Sequence, residues 1–150
     1  MKRISVIIIL TISLINIVKA DTIDYWHIYY NDVKIKEFNL NSSEEIKEIT
    51  LKIDDIKPTD ILTIRYFRDT RYNKCETIVE FEDSSNFVVT KGVCMDTGEG
   101  EPIKISIVSL VITNKKSPFF AYHYRCGKRM GMNLHKNNKN KILLFRLNFE

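Results

Sequence analysis

The stretch from His123 to His135 carries residue types that bind soft metal ions. It holds two of the three histidines in the chain, one cysteine and two methionines: His123, Cys126, Met130, Met132 and His135. Thiolate, thioether and imidazole ligands together select copper(I), and in some sites zinc. No paired C-x-x-C spacing accompanies them, and methionines also serve as flexible fillers in packed loops. Copper or zinc binding is therefore one hypothesis, and ordinary packing of these side chains is the other.

The three cysteines, Cys75, Cys94 and Cys126, allow one disulfide. A hairpin centred on Ser84 would place Cys75 opposite Val93, next to Cys94, and bridged cysteines have Cα atoms about 5.5 Å apart. We therefore predict a Cys75–Cys94 disulfide, which would add about 3 kcal/mol by restricting the unfolded chain. The alternative is that all three are buried thiols. Cys126 is then the odd one, able to pair with another molecule, bind a metal or be buried.

Two cationic segments, 65–74 and 125–141, are candidate partner-binding surfaces. The first contains Arg65, Arg68 and Arg71 among aromatic residues. The second contains six cations and no acids: Arg125, Lys128, Arg129, Lys136, Lys139 and Lys141. Such segments attract acidic proteins or an anionic envelope or glycan surface through a salt-screened field. The alternative is that the cations only solvate the edge of a sheet. No nucleic-acid-binding motif is present, so nucleic acid is not expected as a partner.

Aromatic residues cluster in the same regions. They are Tyr25, Trp26, Tyr29 and Tyr30 near position 25, and Tyr66, Phe67 and Tyr72 near the arginines. Tyrosine, tryptophan and arginine anchor many interfaces. On alternating strands, however, half of these side chains must be core, and we assign Trp26 and Phe67 to it. We interpret His27 as a structural histidine.

Catalysis has little support in the sequence. It contains no G-x-S-x-G elbow, H-E-x-x-H helix or P-loop, and we identify no catalytic residues. The acidic segment 96–101 could hold calcium between strands, although a flexible polar turn is the simpler interpretation. The sequence therefore favours a protein that is not an enzyme, without a cofactor other than the copper or zinc considered above.

The first twenty residues have the three-part pattern of a secretory signal peptide. Lys2 and Arg3 precede a mostly apolar run, and Val18-Lys19-Ala20 offers small residues at the two positions that a signal peptidase reads. Removing residues 1–20 leaves 20 cations against 19 acids, a net charge of +1. We expect cleavage after Ala20, export to the periplasm or the exterior, and no transmembrane segment in the mature chain.

Residues 21–150 alternate apolar and polar side chains throughout, which predicts about eight or nine short strands in a single domain. The spacing places strands at 26–30, 33–38, 49–53, 61–67, 77–81, 87–91, 103–107, 119–125 and 142–149, with Asn31-Asp32 as a tight hairpin turn. The segment 92–102 is expected to be a loop, and 106–112 is ambiguous between strand and helix. This pattern predicts an all-β, immunoglobulin-like sandwich, with a small barrel as the alternative.

From these observations we expect an exported binding or interaction module at the cell envelope or outside the cell. The alternative is a periplasmic or secreted copper- or zinc-binding protein.

Overall fold

The computed structural model describes residues 24–40, 47–68, 74–113, 118–124 and 141–150. Within these residues there are nine strands, one short α-helix and one turn of 3-10 helix at Ile53–Asp55. The elements are β1 (Tyr25–Tyr30), β2 (Val33–Asn39), β3 (Glu48–Leu51), β4 (Ile61–Phe67), β5 (Cys75–Glu82), β6 (Val88–Asp96), β7 (Glu99–Ser106), α1 (Ile107–Val111), β8 (Phe119–Tyr124) and β9 (Lys141–Phe149). The described residues contain one α-helix, and at five residues it is too short to cross a bilayer.

The strands form two sheets that pack face to face, so the predicted all-β sandwich is confirmed. The first sheet has the order β2-β1-β4-β7, and the second has the order β3-β9-β8-β5-β6. The described strands do not close into a barrel. Immunoglobulin constant-type domains have the order A-B-E-D in one sheet. The likeness is therefore to the two-sheet architecture rather than to that strand order.

The core fills the space between the sheets and follows from the two-residue period of the strands. Trp26 and Ile28 on β1 are buried, as are Val79 and Phe81 on β5. Both sheets contribute further apolar side chains to one cluster: Leu62, Ile64, Tyr66, Ile103 and Ile105 from the first, and Phe119, Ala121, Phe145 and Leu147 from the second. Because the inner side of each strand is used in this way, the opposite side of the first sheet is left for contact with solvent.

The first hairpin has the predicted turn. Asn31 and Asp32 have φ angles of 48° and 66°, the left-handed conformation that a two-residue turn matching the strand twist requires. Asparagine and aspartate adopt this conformation more readily than most residues. The turn sets β1 antiparallel to β2, with Tyr30 opposite Val33.

The segment 92–102, expected to be a loop, is mostly strand. β6 continues to Asp96 and β7 begins at Glu99, so only two residues connect them. The acidic side chains serve the turn itself, since Asp96 Oδ1 accepts the backbone N–H of Gly98 at 2.8 Å and Glu101 Oε1 accepts that of Thr97 at 3.0 Å. The segment is rich in acids because their carboxylates accept hydrogen bonds from the turn, and this composition led to the prediction of a loop.

The ambiguous segment 106–112 contains the single turn of helix α1. Ile107 and Leu110, three residues apart, point into the core and are fully buried. A spacing of three is that of one helix face, which explains why an alternating pattern was incomplete here.

Gly92 lets the two sheets approach closely where β6 lies against β7. A Cβ atom at this position would lie 2.6 Å from side-chain carbons of both Ile103 and Ile105, and 3.2 Å from the carbonyl oxygen of Lys104. Any larger residue would push these strands apart.

Candidate binding surface

Five side chains gather on the solvent-facing side of the first sheet because β1 and β4 are neighbours. Alternation places Tyr25, His27 and Tyr29 of β1 opposite to the buried Trp26 and Ile28. The β1–β4 register then aligns Tyr25 with Phe67 and His27 with Arg65. We call the surface formed by Tyr25, His27, Tyr29, Arg65 and Phe67 the aromatic platform. All five are partly exposed.

The rings of the aromatic platform contact one another continuously. Tyr25 and Phe67 stack with centroids 4.9 Å apart and planes within 7°. His27 lies 4.8 Å from the Phe67 ring and 5.3 Å from the Tyr25 ring, in tilted contacts. Tyr29 extends the row, with its ring 6.2 Å from His27. These separations are those of favourable aromatic pairs, so the rings hold one another in place before any partner binds.

Arg65 is also held in place. Its guanidinium carbon lies 5.7 Å from the centre of the Tyr29 ring, within cation–π range. Its Nη1 donates a hydrogen bond to the carbonyl oxygen of Gly100 at 3.1 Å. Gly100 has a φ of 89°, and a Cβ atom there would overlap the Phe67 ring, so only glycine lets Phe67 lie over this strand.

The β2 side of the aromatic platform is electrically balanced. Glu37 Oε2 lies 2.7 Å from Lys34 Nζ and 3.3 Å from His27 Nε2. The hydrogen bond between Lys34 and Glu37 raises the pKa of Lys34 and lowers the pKa of Glu37. Both side chains are about half exposed, where such pairs contribute little to stability.

The β7 side presents a cation near Tyr29 and an acid near Phe67, since the exposed Glu99 aligns with Phe67. Lys104 is exposed and aligns with Thr63 of β4, which in turn aligns with Tyr29. Within the part of the chain that the structure describes, neither Lys104 nor Arg65 forms an ion pair with a carboxylate. Their positive charges therefore remain available to a partner.

The three predicted partner-binding residues that the structure describes do not all lie on one surface. Arg65 belongs to the aromatic platform, and Arg68 pairs with Asp24 at 3.7 Å. Lys141 begins β9 in the second sheet, where its Nζ lies 2.6 Å from Glu82 Oε1 and 3.9 Å from the centre of the Tyr122 ring. These intramolecular contacts engage the ammonium group of Lys141, and its role as a partner-binding cation stays a prediction. Arg71, Lys128, Arg129, Lys136 and Lys139 lie outside the described residues.

His123 is not placed as a metal ligand. It is fully buried, and its Nδ1 accepts a hydrogen bond from Trp26 Nε1 at 3.1 Å. Its Nε2 therefore carries the proton and donates to Thr77 Oγ1 at 2.7 Å. Both ring nitrogens are occupied, which leaves none for an ion. Cys126, Met130, Met132 and His135 lie outside the described residues, and the described part of the chain contains no group of three or more potential metal ligands among His, Cys, Asp and Glu.

The predicted Cys75–Cys94 disulfide is wrong, because Cys94 is a free thiol. The β5–β6 register aligns Cys75 with Asp96 and Cys94 with Thr77. The register differs from the prediction because the turn is longer than expected. Asp83 Oδ1 accepts the backbone N–H groups of both Ser85 and Phe87 in this turn, at 2.9 Å each. The register also shifts between Phe81 and Glu82, just before the turn.

Sequence reasoning assigned Trp26 to the core correctly but misplaced Phe67. Tyr66 is buried at 1% exposure, so its neighbour Phe67 must point outward. Arg65 and Phe67 are two residues apart on β4 and therefore lie on the same side of the strand. Recognising Tyr66 as a core residue would have placed both of them on the outer side. His27 was interpreted as structural but lies at the centre of the aromatic platform. Lys104 had no signal in the sequence, since it joins the surface only through pairing of β4 with β7.

Comparison with known proteins gives no family: no family model, curated protein or solved structure matches this chain.

Proposed function

We propose that this chain is an exported binding module that contacts a protein partner through the aromatic platform. One observation carries the proposal: four aromatic rings and an arginine share one solvent-facing side of the first sheet. Tyrosine, phenylalanine and arginine are enriched at protein interfaces, and tyrosine and arginine are common among the residues that dominate binding energy.

Preorganisation supports this proposal. Binding costs free energy when flexible side chains must be ordered, by about 0.5–1.5 kcal/mol for each one. Here Phe67 stacks on Tyr25, and Arg65 is tied to the Gly100 carbonyl. Much of that ordering is therefore already present in the unbound protein.

Export is supported by the sequence of residues 1–20, which has a cationic head, an apolar run and a small-residue cleavage signal. We expect the mature chain to begin at Asp21 and to be found in the periplasm or the medium. Fractionation of cells that produce the full-length chain, followed by N-terminal sequencing, tests this part. A chain retained in the cytoplasm with Met1 or Lys2 at its N-terminus would contradict it.

Site-specific photo-crosslinking in the producing cells tests the binding surface. A photoreactive phenylalanine analogue replaces Tyr29 in one variant and Met95 in the control. Met95 is a suitable control because it is exposed but lies on β6 of the second sheet. We expect a discrete adduct with one protein from position 29 and none from position 95.

A second substitution makes the result specific. Arg65→Glu in the variant with the analogue at position 29 reverses one charge of the aromatic platform, and we expect it to abolish the adduct. Equal adducts from positions 29 and 95, or an adduct unaffected by Arg65→Glu, would show that this surface is not the binding site.

A further inference from the structure

We infer that the partner presents an extended segment with carboxylate side chains at alternate positions, which bind Arg65 and Lys104. This inference rests on the proposed function and adds the chemistry of the partner to it. It follows from the distribution of charge around the aromatic platform and from the spacing of Arg65 and Lys104 on neighbouring strands.

The charge argument excludes the β2 side as the source of specificity. Lys34 and Glu37 neutralise each other there. On the other side, Arg65 and Lys104 have no carboxylate partner among the described residues. A cationic partner would be repelled by Arg65 and Lys104, whereas an acidic one would be attracted and steered to this side.

The strand register sets the spacing. Arg65 aligns with Pro102, and Lys104 lies two residues further along β7. Arg65 and Lys104 are therefore diagonal neighbours, with Cα atoms roughly 7–8 Å apart. In an extended chain, side chains on one side recur every second residue, at about 6.6–6.8 Å. Carboxylates at positions i and i+2 of a partner segment thus match the spacing of the two residues from which the cationic side chains extend.

The two cations differ in what they contribute. An arginine can bind a carboxylate through two parallel hydrogen bonds, whereas a lysine acts as a point charge. One Arg65 nitrogen is committed to Gly100, and this bond holds the guanidinium next to the Tyr29 ring. The geometry therefore gives Arg65 the more directional role and Lys104 the more general attraction.

Synthetic peptides provide the probes. The first alternates glutamate and threonine, the second has the same composition with the glutamates in one block, and the third replaces glutamate by lysine in the alternating pattern. Binding of fluorescently labelled peptides to the full purified chain is measured by anisotropy at low and high salt. We expect the alternating glutamate peptide to bind several-fold more tightly than the block peptide, with weaker binding at high salt, and the lysine peptide not to bind.

Matched variants assign the effect to the two cations. Each exposed ion pair contributes about 0.2–1 kcal/mol, so Arg65→Gln and Lys104→Gln should each weaken binding by about 1.4-fold to 5-fold. Lys91→Gln is the control, because Lys91 is also exposed but lies on β6 of the second sheet. Arg65→Lys retains the charge and should fall between wild type and Arg65→Gln. Thermal unfolding of each variant verifies the fold, and the exposed Lys104 provides the test if Arg65→Gln does not fold.

Three results would overturn the inference. They are equal binding of the alternating and block peptides, an equal loss in Lys91→Gln, and absence of binding to any acidic peptide. Heparin binding that depends on Arg65 without any peptide binding would also overturn it, in favour of an anionic glycan. If Tyr29 crosslinks a partner while all acidic peptides fail, the proposed function stands and this inference alone is wrong.

Discussion

The indole nitrogen of Trp26 donates a hydrogen bond to Nδ1 of His123, and this bond of 3.1 Å connects the two sheets through the core. Trp26 belongs to β1 of the first sheet and His123 to β8 of the second. The chain of bonds continues from His123 to Thr77 Oγ1, which donates to the carbonyl oxygen of Tyr124 at 2.8 Å. A buried network in which each member has a partner favours one arrangement of the two sheets.

Thr77→Val is expected to destabilise the fold by about 1–3 kcal/mol, because it leaves the His123 N–H and the Tyr124 carbonyl without their buried partner. Valine has nearly the same shape as threonine, so the change leaves no large cavity. Thr50→Val on the exposed side of β3 is the control. Urea denaturation measures both, and an equal small effect in the two variants would contradict a structural role for the network.

Asp60→Asn is expected to destabilise the protein at neutral pH and to have a smaller effect in acid. The backbone N–H of Lys57 and the side chains of Tyr30 and Asn31 all donate to the Asp60 carboxylate and lower its pKa. The converse effect appears at Tyr30, where burial and the bond to Asp60 raise the pKa to about 12.

A carboxyl group with a lowered pKa contributes stability above its unfolded value, about 3.9, and loses it as the pH falls through the folded value. The difference between wild type and Asp60→Asn should therefore shrink below about pH 4. Urea denaturation from pH 3 to pH 7 measures it, with the exposed Asp55→Asn as control. A difference that does not change with pH would rule out the carboxylate as its cause.

Cys94 is expected to react slowly with alkylating reagents while the protein is folded. Burial, with the nearby charges of Asp96 and Glu101, raises the pKa of its thiol to about 12, and the thiolate is the reactive form. At pH 8 alkylation should be roughly a thousandfold slower than for an ordinary thiol, and urea should restore it.

Mass spectrometry under non-reducing conditions checks the same site. A Cys75–Cys94 peptide would contradict the structure. Since Cys126 is the third cysteine of the sequence, any disulfide of Cys75 within the chain would have to involve Cys126.

The sequence predicted an element well where the preferences of neighbouring residues were enough to form it. β4 has the predicted bounds, Ile61–Phe67, because its β-branched and aromatic residues all favour a strand. Asn31-Asp32 formed the expected turn because φ preferences belong to single residues. The predicted register of the β5–β6 hairpin was wrong because it depends on which backbone groups Asp83 binds. A shift of a few residues changes every cross-strand pair.

The candidate surface was only partly predictable. Arg65 and Tyr29 were identified as interface residue types, but composition did not reveal that they would be neighbours. Phe67 was misplaced because its neighbour Tyr66 is also aromatic. Alternation shows which residues share a side of a strand, but it does not show which side faces the core.

The sequence by itself determined that the chain is built from extended segments, where most of them begin and end, and which residues share a side of each strand. Those properties follow from backbone geometry and residue preferences over a few positions. The tertiary structure decided that β1, β4 and β7 are neighbours, and so brought Tyr29, Arg65 and Lys104 to one surface. Strand pairing depends on the sum of contacts between residues distant in sequence, such as Trp26 with His123, and no local pattern encodes that sum.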